Sequence, residues 1–224
     1  MKKLTMTGDV VSNSTGELFD WFGLDAIYPK KVRQMLEDGT NEDVEITLTT
    51  NGGSVFAGQE IYDIVKSYQG KTTVKVAGLV ASIGTLITCA FDKVQISPVA
   101  TFMIHNPTIA DVSGDKSDMD KARQMLETVE STLLNAYSKK TGLDKEGLAE
   151  LMEQETFMTA QEVVDYGFAD ELLETESELQ LVASFGTVNN SFIEKIKNLK
   201  EKENRELAET KLRFLRLREE KINE

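Results

Sequence analysis

The chain has 224 residues but only one cysteine, one histidine, one tryptophan and three prolines. A single thiol, Cys89, excludes an intramolecular disulfide. It lies in the most apolar segment, where it reads as a small core residue with no cluster of metal ligands around it. No run of about 20 apolar residues occurs, so no membrane-spanning helix is expected. Lys2 and Lys3 are followed by polar Thr7-Gly8-Asp9 rather than an apolar stretch, which argues against a secretory leader. Basic charge is also in short supply. The net charge of −13 disfavours nucleic acid or an anionic membrane as a partner. These absences lead to the expectation of a soluble, cytoplasmic protein with no cofactor and no metal. They also carry a sharp restriction: any serine-histidine chemistry must use His105.

What is present suffices for one sizeable α/β domain and a smaller appendage, with 40% hydrophobic residues to build a core. Residues 4–11 read as a strand with a turn at Gly8-Asp9. Residues 12–17 read as a polar, turn-rich piece before an aromatic cluster of Phe19, Trp21 and Phe22. Tyr28-Pro29 precedes a short helix carrying Val32, Met35 and Leu36. Val44, Ile46 and Leu48 then alternate with polar residues as in a half-buried strand, which runs into Asn51-Gly52-Gly53-Ser54 and an amphipathic helix ending near Gly70. A second strand-turn-helix spans Val74 to Phe91, with Ser82 at the turn; its apolar second half is interrupted only by threonines. Strands at Lys93 to Ile96 and Thr101 to Ile104 follow, and the latter delivers His105-Asn106-Pro107. Repeated strand-helix-strand units imply a largely parallel sheet, whose functional loops gather at strand C-terminal ends. The Gly52-Gly53, Ser82 and His105 loops all occupy such ends.

Residues 117–140 form a long helical pattern with Ser117 as a plausible cap and Thr141-Gly142 as its stop. A short helix from Lys145 to Met152 and another opened by a Thr159/Glu162 capping box, ending at Tyr166-Gly167, come next. Residues 189–224 change character. They contain no Gly or Pro and carry ten Lys/Arg against eight Asp/Glu, net +2, leaving −15 for the rest of the chain. That composition suits a charged helix, either solvated or partner-binding.

The strand-turn-helix at Ser82 is what a serine nucleophile needs, because free helix N–H groups point at whatever the residue attacks. By itself the pattern is also ordinary packing with an N-cap. A serine hydroxyl needs a base, here His105, and the base needs an orienting acid, for which Glu153, Glu155, Asp165 and Asp170 are candidates. Backbone amides of Gly53 and Ile83 are the candidate oxyanion donors. A phosphate loop at Gly52-Gly53 is disfavoured because no Gly-Lys-Ser/Thr ending follows. Lys93 is a minor alternative base.

Four segments in order, NGGSVFAGQEIYD, GLVASIGTLI, FMIHNP and ETFMTAQEVVDYGFAD, resemble the proteolytic subunit of the Clp protease family across about residues 44–172. The resemblance implies the α/β fold of the Clp protease and crotonase superfamily, stacked βαβ units with a projecting handle helix at 117–140. It further implies Ser82 as nucleophile, His105 as base, Gly53 and Ile83 as oxyanion donors, and ring-shaped self-assembly. By alignment the family's triad aspartate falls on Glu155, whose extra methylene shifts the required backbone position by about 1.5 Å; Glu153 is the fallback. Thr50-Asn51 stands where serine-proline is usual. Gly52 and Ser54, with the segment beginning Asn106, Pro107 and Thr108, would line the cleft and pair with an extended peptide.

The tail is a departure from housekeeping members. With the Met-Glu-Gln-Glu-Thr-Phe run it is more similar to Clp-like proteases of tailed phages and prophages, which act as head maturation proteases. The expectation is therefore a protease domain at 1–178 and a linker plus charged tail at 179–224. Its activity would be ATP-independent endopeptidase cleavage of scaffold or capsid precursors, in the bacterial cytoplasm or inside a procapsid. Rival readings are a housekeeping Clp subunit working with an AAA+ unfoldase, an inactive assembly protein, and a crotonase-type acyl-CoA enzyme.

Overall fold

The computed structural model describes residues 1–37 and 39–173. The expected linker and charged tail lie outside these. In chain order the elements are β1 (Lys2–Thr7), β2 (Asp9–Val10), α1 (Asn13–Phe22), β3 (Ala26–Ile27), α2 (Pro29–Leu36), β4 (Val44–Thr50) and α3 (Val55–Ser67). They continue with β5 (Thr72–Ala81), α4 (Ile83–Thr88), β6 (Lys93–Ile96), β7 (Thr101–Ile104), α5 (Lys116–Thr141), α6 (Lys145–Glu153), β8 (Thr156–Thr159), α7 (Ala160–Asp165) and β9 (Glu171–Leu172). Strands β1, β4, β5, β6 and β9 pair in that order, all parallel, as crossover connections through helices require.

On the edge away from β4, β5 serves two neighbours in turn. Thr73 to Val76 pair with β6, and Leu79 to Ala81 pair with β7. Between these stretches Gly78 takes φ +65°, and the β4 register jumps from Leu48↔Val76 to Thr50↔Val80. Two steps on β4 thus face four on β5, a bulge that bends the strand. The Ala77 carbonyl freed by the bulge accepts the Thr49 hydroxyl at 2.8 Å, so it is not left unpaired. β7 in turn pairs antiparallel with β8.

Alternation sets the core. Val44, Ile46, Leu48 and Thr50 of β4 are buried, and the intervening residues are half-buried. The other face of the sheet carries ion pairs, Lys75 to Glu45 at 3.0 Å and Lys93 to Glu171 at 2.9 Å. Two glycines let the core-side helices close, α3 on α4 and α4 on the end of β4. A Cβ on Gly58 would fall 2.3 Å from Ile83 Cγ1, and one on Gly84 would fall 2.3 Å from Thr50 Cγ2.

Two sequence readings are corrected here. Residues 13–22 form a helix rather than a polar turn: Ser12 caps it by accepting the Thr15 N–H at 3.3 Å, and Gly23 ends it in the left-handed conformation. The only buried residue of α1 is Gly16, which lies against the Tyr28 ring, while Leu18, Trp21 and Phe22 are exposed. At α5 the cap is Asp115, not Ser117. Its carboxylate accepts the N–H groups of Ser117 (2.8 Å) and Asp118 (3.2 Å), and Asp118 reciprocates by accepting the Asp115 N–H, which closes a capping box. An ionised carboxylate near a helix N-terminus outcompetes a hydroxyl for those donors. The long helix ends at Gly142 as expected, and its buried residues, Val129, Leu133 and Tyr137, all lie in the C-terminal half.

Candidate active site

Three strand ends converge. β4 ends at Thr50 and leads into Gly52-Gly53; β5 ends at Ala81 beside Ser82; β7 ends at Ile104 beside His105. The β5–β7 register pairs Ala81 with Met103, and the Ser82 N–H donates to the Met103 carbonyl at 2.8 Å. Ser82 is one residue past Ala81 and His105 two past Met103, and His105 Nε2 lies 2.7 Å from Ser82 Oγ. That is bonding distance for proton transfer between a hydroxyl and a neutral imidazole.

Ser82 itself sits at φ +56°, ψ −131°, where a non-glycine residue costs about 1–3 kcal/mol. The strained turn is held by the Met103 bond on one side and on the other by Thr85, whose N–H and hydroxyl both donate to the Ser82 carbonyl at 3.0 and 2.6 Å. The Ile83 N–H, next in the chain, has no partner among the described residues. Neither does the Gly53 N–H: the β2 bridge to this loop uses the Gly52 carbonyl and the Ser54 N–H, and the Gly52 N–H donates to Thr50 Oγ1 at 3.0 Å. Two amides without a partner among the described residues therefore stand at this junction, Ile83 next to the serine in the chain and Gly53 next to the glycine that packs on it. Gly52 packs directly on Ser82. A Cβ there would lie 2.6 Å from Ser82 Cβ and 3.1 Å from Ser82 Oγ, and Gly52 is at φ +98°. A cleft of about 630 Å³ borders this loop, lined by Asp9 to Ser12, Thr15 and Asn51 to Ser54. Ser82 and His105 are not among its lining residues.

The acid is less directly placed. The β7–β8 ladder ends at the pair Ile104–Thr156, and one more regular rung would set Glu155 opposite His105. Opposed residues of an antiparallel pair lie on the same face, about 5 Å apart at Cα. Glu155 departs from the ladder at φ +49°, and no hydrogen bond joins it or Glu153 to the imidazole among the described residues. The other two candidates are occupied elsewhere. Asp170 accepts the Val94 N–H (2.6 Å) and pairs with Lys140 (2.8 Å), and Asp165 accepts Gln161 Nε2 (2.8 Å). Lys93 is also excluded as a base. It pairs with Glu171 and sits opposite Thr73, nine residues of strand from Ser82, a separation of roughly 30 Å at 3.3 Å per residue. Cys89 is no rival nucleophile, because burial pushes its thiol up to about 12.

Of the expected cleft residues, Ser54 caps α3 through the Ala57 N–H at 3.4 Å, and Asn106 presents a buried Oδ1 with no partner among the described residues. Pro107 is half-buried and Thr108 exposed. The reading of motifs missed two groups that touch the nucleophile turn: Thr50, which holds Gly52, and Thr85, whose hydroxyl is also 2.7 Å from the Tyr137 hydroxyl of α5. The available signals were a threonine inside an otherwise apolar run for Thr85, and for Thr50 a threonine at the inward position that follows Val44, Ile46 and Leu48; a buried hydroxyl in either place must find a partner.

The Clp protease family description matches residues 26–176. The chain is 31% identical over 154 residues to the ATP-dependent Clp protease proteolytic subunit 1 of Chlamydia abortus, covering 67% of this chain and 80% of that protein. It is 30% identical over 148 residues to the ATP-dependent Clp protease proteolytic subunit of Deinococcus radiodurans, covering 64% of this chain and 72% of that one. Its fold is similar to that of a ClpP1 mutant from Listeria monocytogenes, with a TM-score of 0.65 at 22% identity, over 78% of this chain and 92% of the other. The matched span runs from β3 through β9 and includes every loop that meets at Ser82, so the chain belongs to the Clp protease family and is a serine-type peptidase.

Proposed function

We propose that Ser82 attacks a peptide carbonyl while His105 takes its proton and then passes it to the leaving amine. The Gly53 and Ile83 amides donate to the oxyanion of the tetrahedral intermediate, and Glu155 orients His105. The observation that carries this reading is the 2.7 Å contact between Ser82 Oγ and His105 Nε2, with the Ile83 and Gly53 N–H groups lacking partners among the described residues. Gly52, Ser54, Asn106, Pro107 and Thr108 line the substrate cleft, where an extended peptide adds by backbone pairing. Assembly is a homo-oligomeric ring built through α5, and the protease domain spans residues 1–178.

We further propose that the enzyme is an ATP-independent endopeptidase of the phage type, cutting scaffold or capsid precursors in the bacterial cytoplasm or within a procapsid. Its support is in the sequence: a charged, Gly- and Pro-free stretch at 189–224 and the Met-Glu-Gln-Glu-Thr-Phe run. Co-expression with candidate capsid and scaffold proteins tests it. Precursors shortened by the intact enzyme and left whole by Ser82→Ala support the proposal; no shortening by either removes it. A second reading is favoured by the names of the relatives in Chlamydia abortus and Deinococcus radiodurans, both called ATP-dependent proteolytic subunits. On that reading the chain degrades proteins delivered by an AAA+ unfoldase, and casein degradation rises when the unfoldase is added.

A further inference from the structure

We infer that Tyr137 and Thr85 are positioning residues for the reaction, a two-hydroxyl relay through which α5 aims the Ile83 N–H at the oxyanion. The inference rests on the reading of Ser82 as nucleophile and of Ile83 as an oxyanion donor. Its geometric basis is the peptide unit between Ser82 and Ile83. That unit is planar and trans, so its carbonyl and its N–H point in opposite directions and move together. Whatever grips the Ser82 carbonyl therefore sets the direction of the Ile83 N–H.

Thr85 grips it twice, with its N–H at 3.0 Å and its hydroxyl at 2.6 Å. A threonine hydroxyl has one proton, and here that proton goes to the Ser82 carbonyl. The 2.7 Å contact between Thr85 Oγ1 and the Tyr137 hydroxyl must then be donated by Tyr137. The order is Tyr137 O–H to Thr85 Oγ1, and Thr85 O–H to the Ser82 carbonyl. Both side chains are fully buried, at 1% exposure for Tyr137 and 0% for Thr85, so water cannot take over either bond. Burial also raises the Tyr137 pKa, which keeps the phenol protonated and able to donate. The Tyr137 ring is fixed by an edge contact with Phe168, centroids 5.4 Å apart, so the donor is rigidly mounted.

Loss of the relay should weaken binding of the transition state more than binding of substrate, because the Ile83 N–H is needed mainly once the oxyanion forms. The test measures kcat and KM on a fluorogenic peptide, and affinity for a peptide boronic acid that forms a tetrahedral adduct. The full chain is used, with folding of each variant checked by circular dichroism. Thr85→Val is expected to lower kcat about tenfold with KM within about twofold, and boronate affinity falls in step with kcat/KM. Thr85→Ser restores at least about half of the rate, because the hydroxyl returns. Tyr137→Phe lowers kcat about three- to tenfold. The double variant is no slower than Thr85→Val alone, because Tyr137 acts only through Thr85. Should Thr85→Val fail to fold, Tyr137→Phe decides the matter, since it removes one oxygen and keeps the ring contact. Folded variants with unchanged kcat, a rise in KM alone, or multiplicative losses in the double variant overturn the inference. A wild-type chain that neither hydrolyses peptide nor takes the boronate overturns the reading of Ser82 and this inference with it.

Discussion

Placing a methyl group on Gly52 should disable the site without unfolding the chain. An ideal Cβ there lies 2.6 Å from Ser82 Cβ and 2.9 Å from the Ala81 carbonyl, against an ordinary contact of 3.4–4 Å, so the two loops must part by about 1 Å. A displacement of that size at a reacting group costs about 100-fold, or about 2.7 kcal/mol of transition-state stabilisation. Gly52 also sits at φ +98°, which a residue with a side chain adopts only at a cost of about 1–3 kcal/mol in stability. Gly142 is the matched control. It is at φ +78° at the end of α5 with nothing within 4 Å of its Cβ position, so Gly142→Ala bears the backbone cost without touching the site. The assay compares kcat/KM on a fluorogenic peptide with Tm for both variants. Gly52→Ala should lose about 100-fold in kcat/KM, while Gly142→Ala should lose a few degrees in Tm and keep its rate within about twofold. A Gly52→Ala enzyme that turns over at the wild-type rate would refute the packing argument, because the methyl would then have found room that the loops do not offer.

Glu155→Ala should lower kcat/KM by roughly tenfold or more, and Glu153→Ala should leave it within about twofold; equal effects in a peptide assay would remove Glu155 from its role. Phe168 is fully buried between Phe102 and Tyr137, with both centroids at 5.4 Å. Phe168→Ala should therefore destabilise the fold by about 3–5 kcal/mol in urea denaturation. Tyr28 donates to Asp20 at 2.5 Å, and this bond, with burial, raises its pKa from 10.0 to about 12. The folded state thus holds the proton more tightly than the unfolded chain. The resulting stability is complete below pH 10 and is lost as pH rises through about 12. Urea titrations between pH 9 and 12 should show that loss in the wild type and a flatter profile in Tyr28→Phe.

Much of the site was legible because its parts are set by short-range chemistry. A strand running into two glycines, a strand turning into an apolar helix at Ser82, and the only histidine following a strand are local patterns, and parallel topology brings their ends to one edge. What could not be read depends on distant partners. α1 has no buried stripe to announce it, because its buried contact is Gly16 against Tyr28 and its other ties, such as Tyr28 to Asp20 and Lys30 to Glu17, are polar. The four residues of β8 carry no helical or strand period of their own, yet their pairing with β7 runs to Ile104–Thr156, one residue short of both His105 and Glu155. The switch of β5 from one neighbour to another at Gly78 depends on a register shift between strands, which a single strand's alternation does not encode. Thr85 stood out only as a polar interruption, and its partner Tyr137 is 52 residues away.

The central claim is that the Ser82 hydroxyl is the nucleophile and the His105 imidazole its activator, and covalent labelling tests it most directly. A fluorophosphonate probe should attach to one site of the wild-type chain, mapped by mass spectrometry to Ser82. The label should vanish in Ser82→Ala, and its rate of attachment should fall at least about 100-fold in His105→Ala. A folded wild-type chain that takes no label, a label on another residue, or full reactivity without the imidazole would contradict the account.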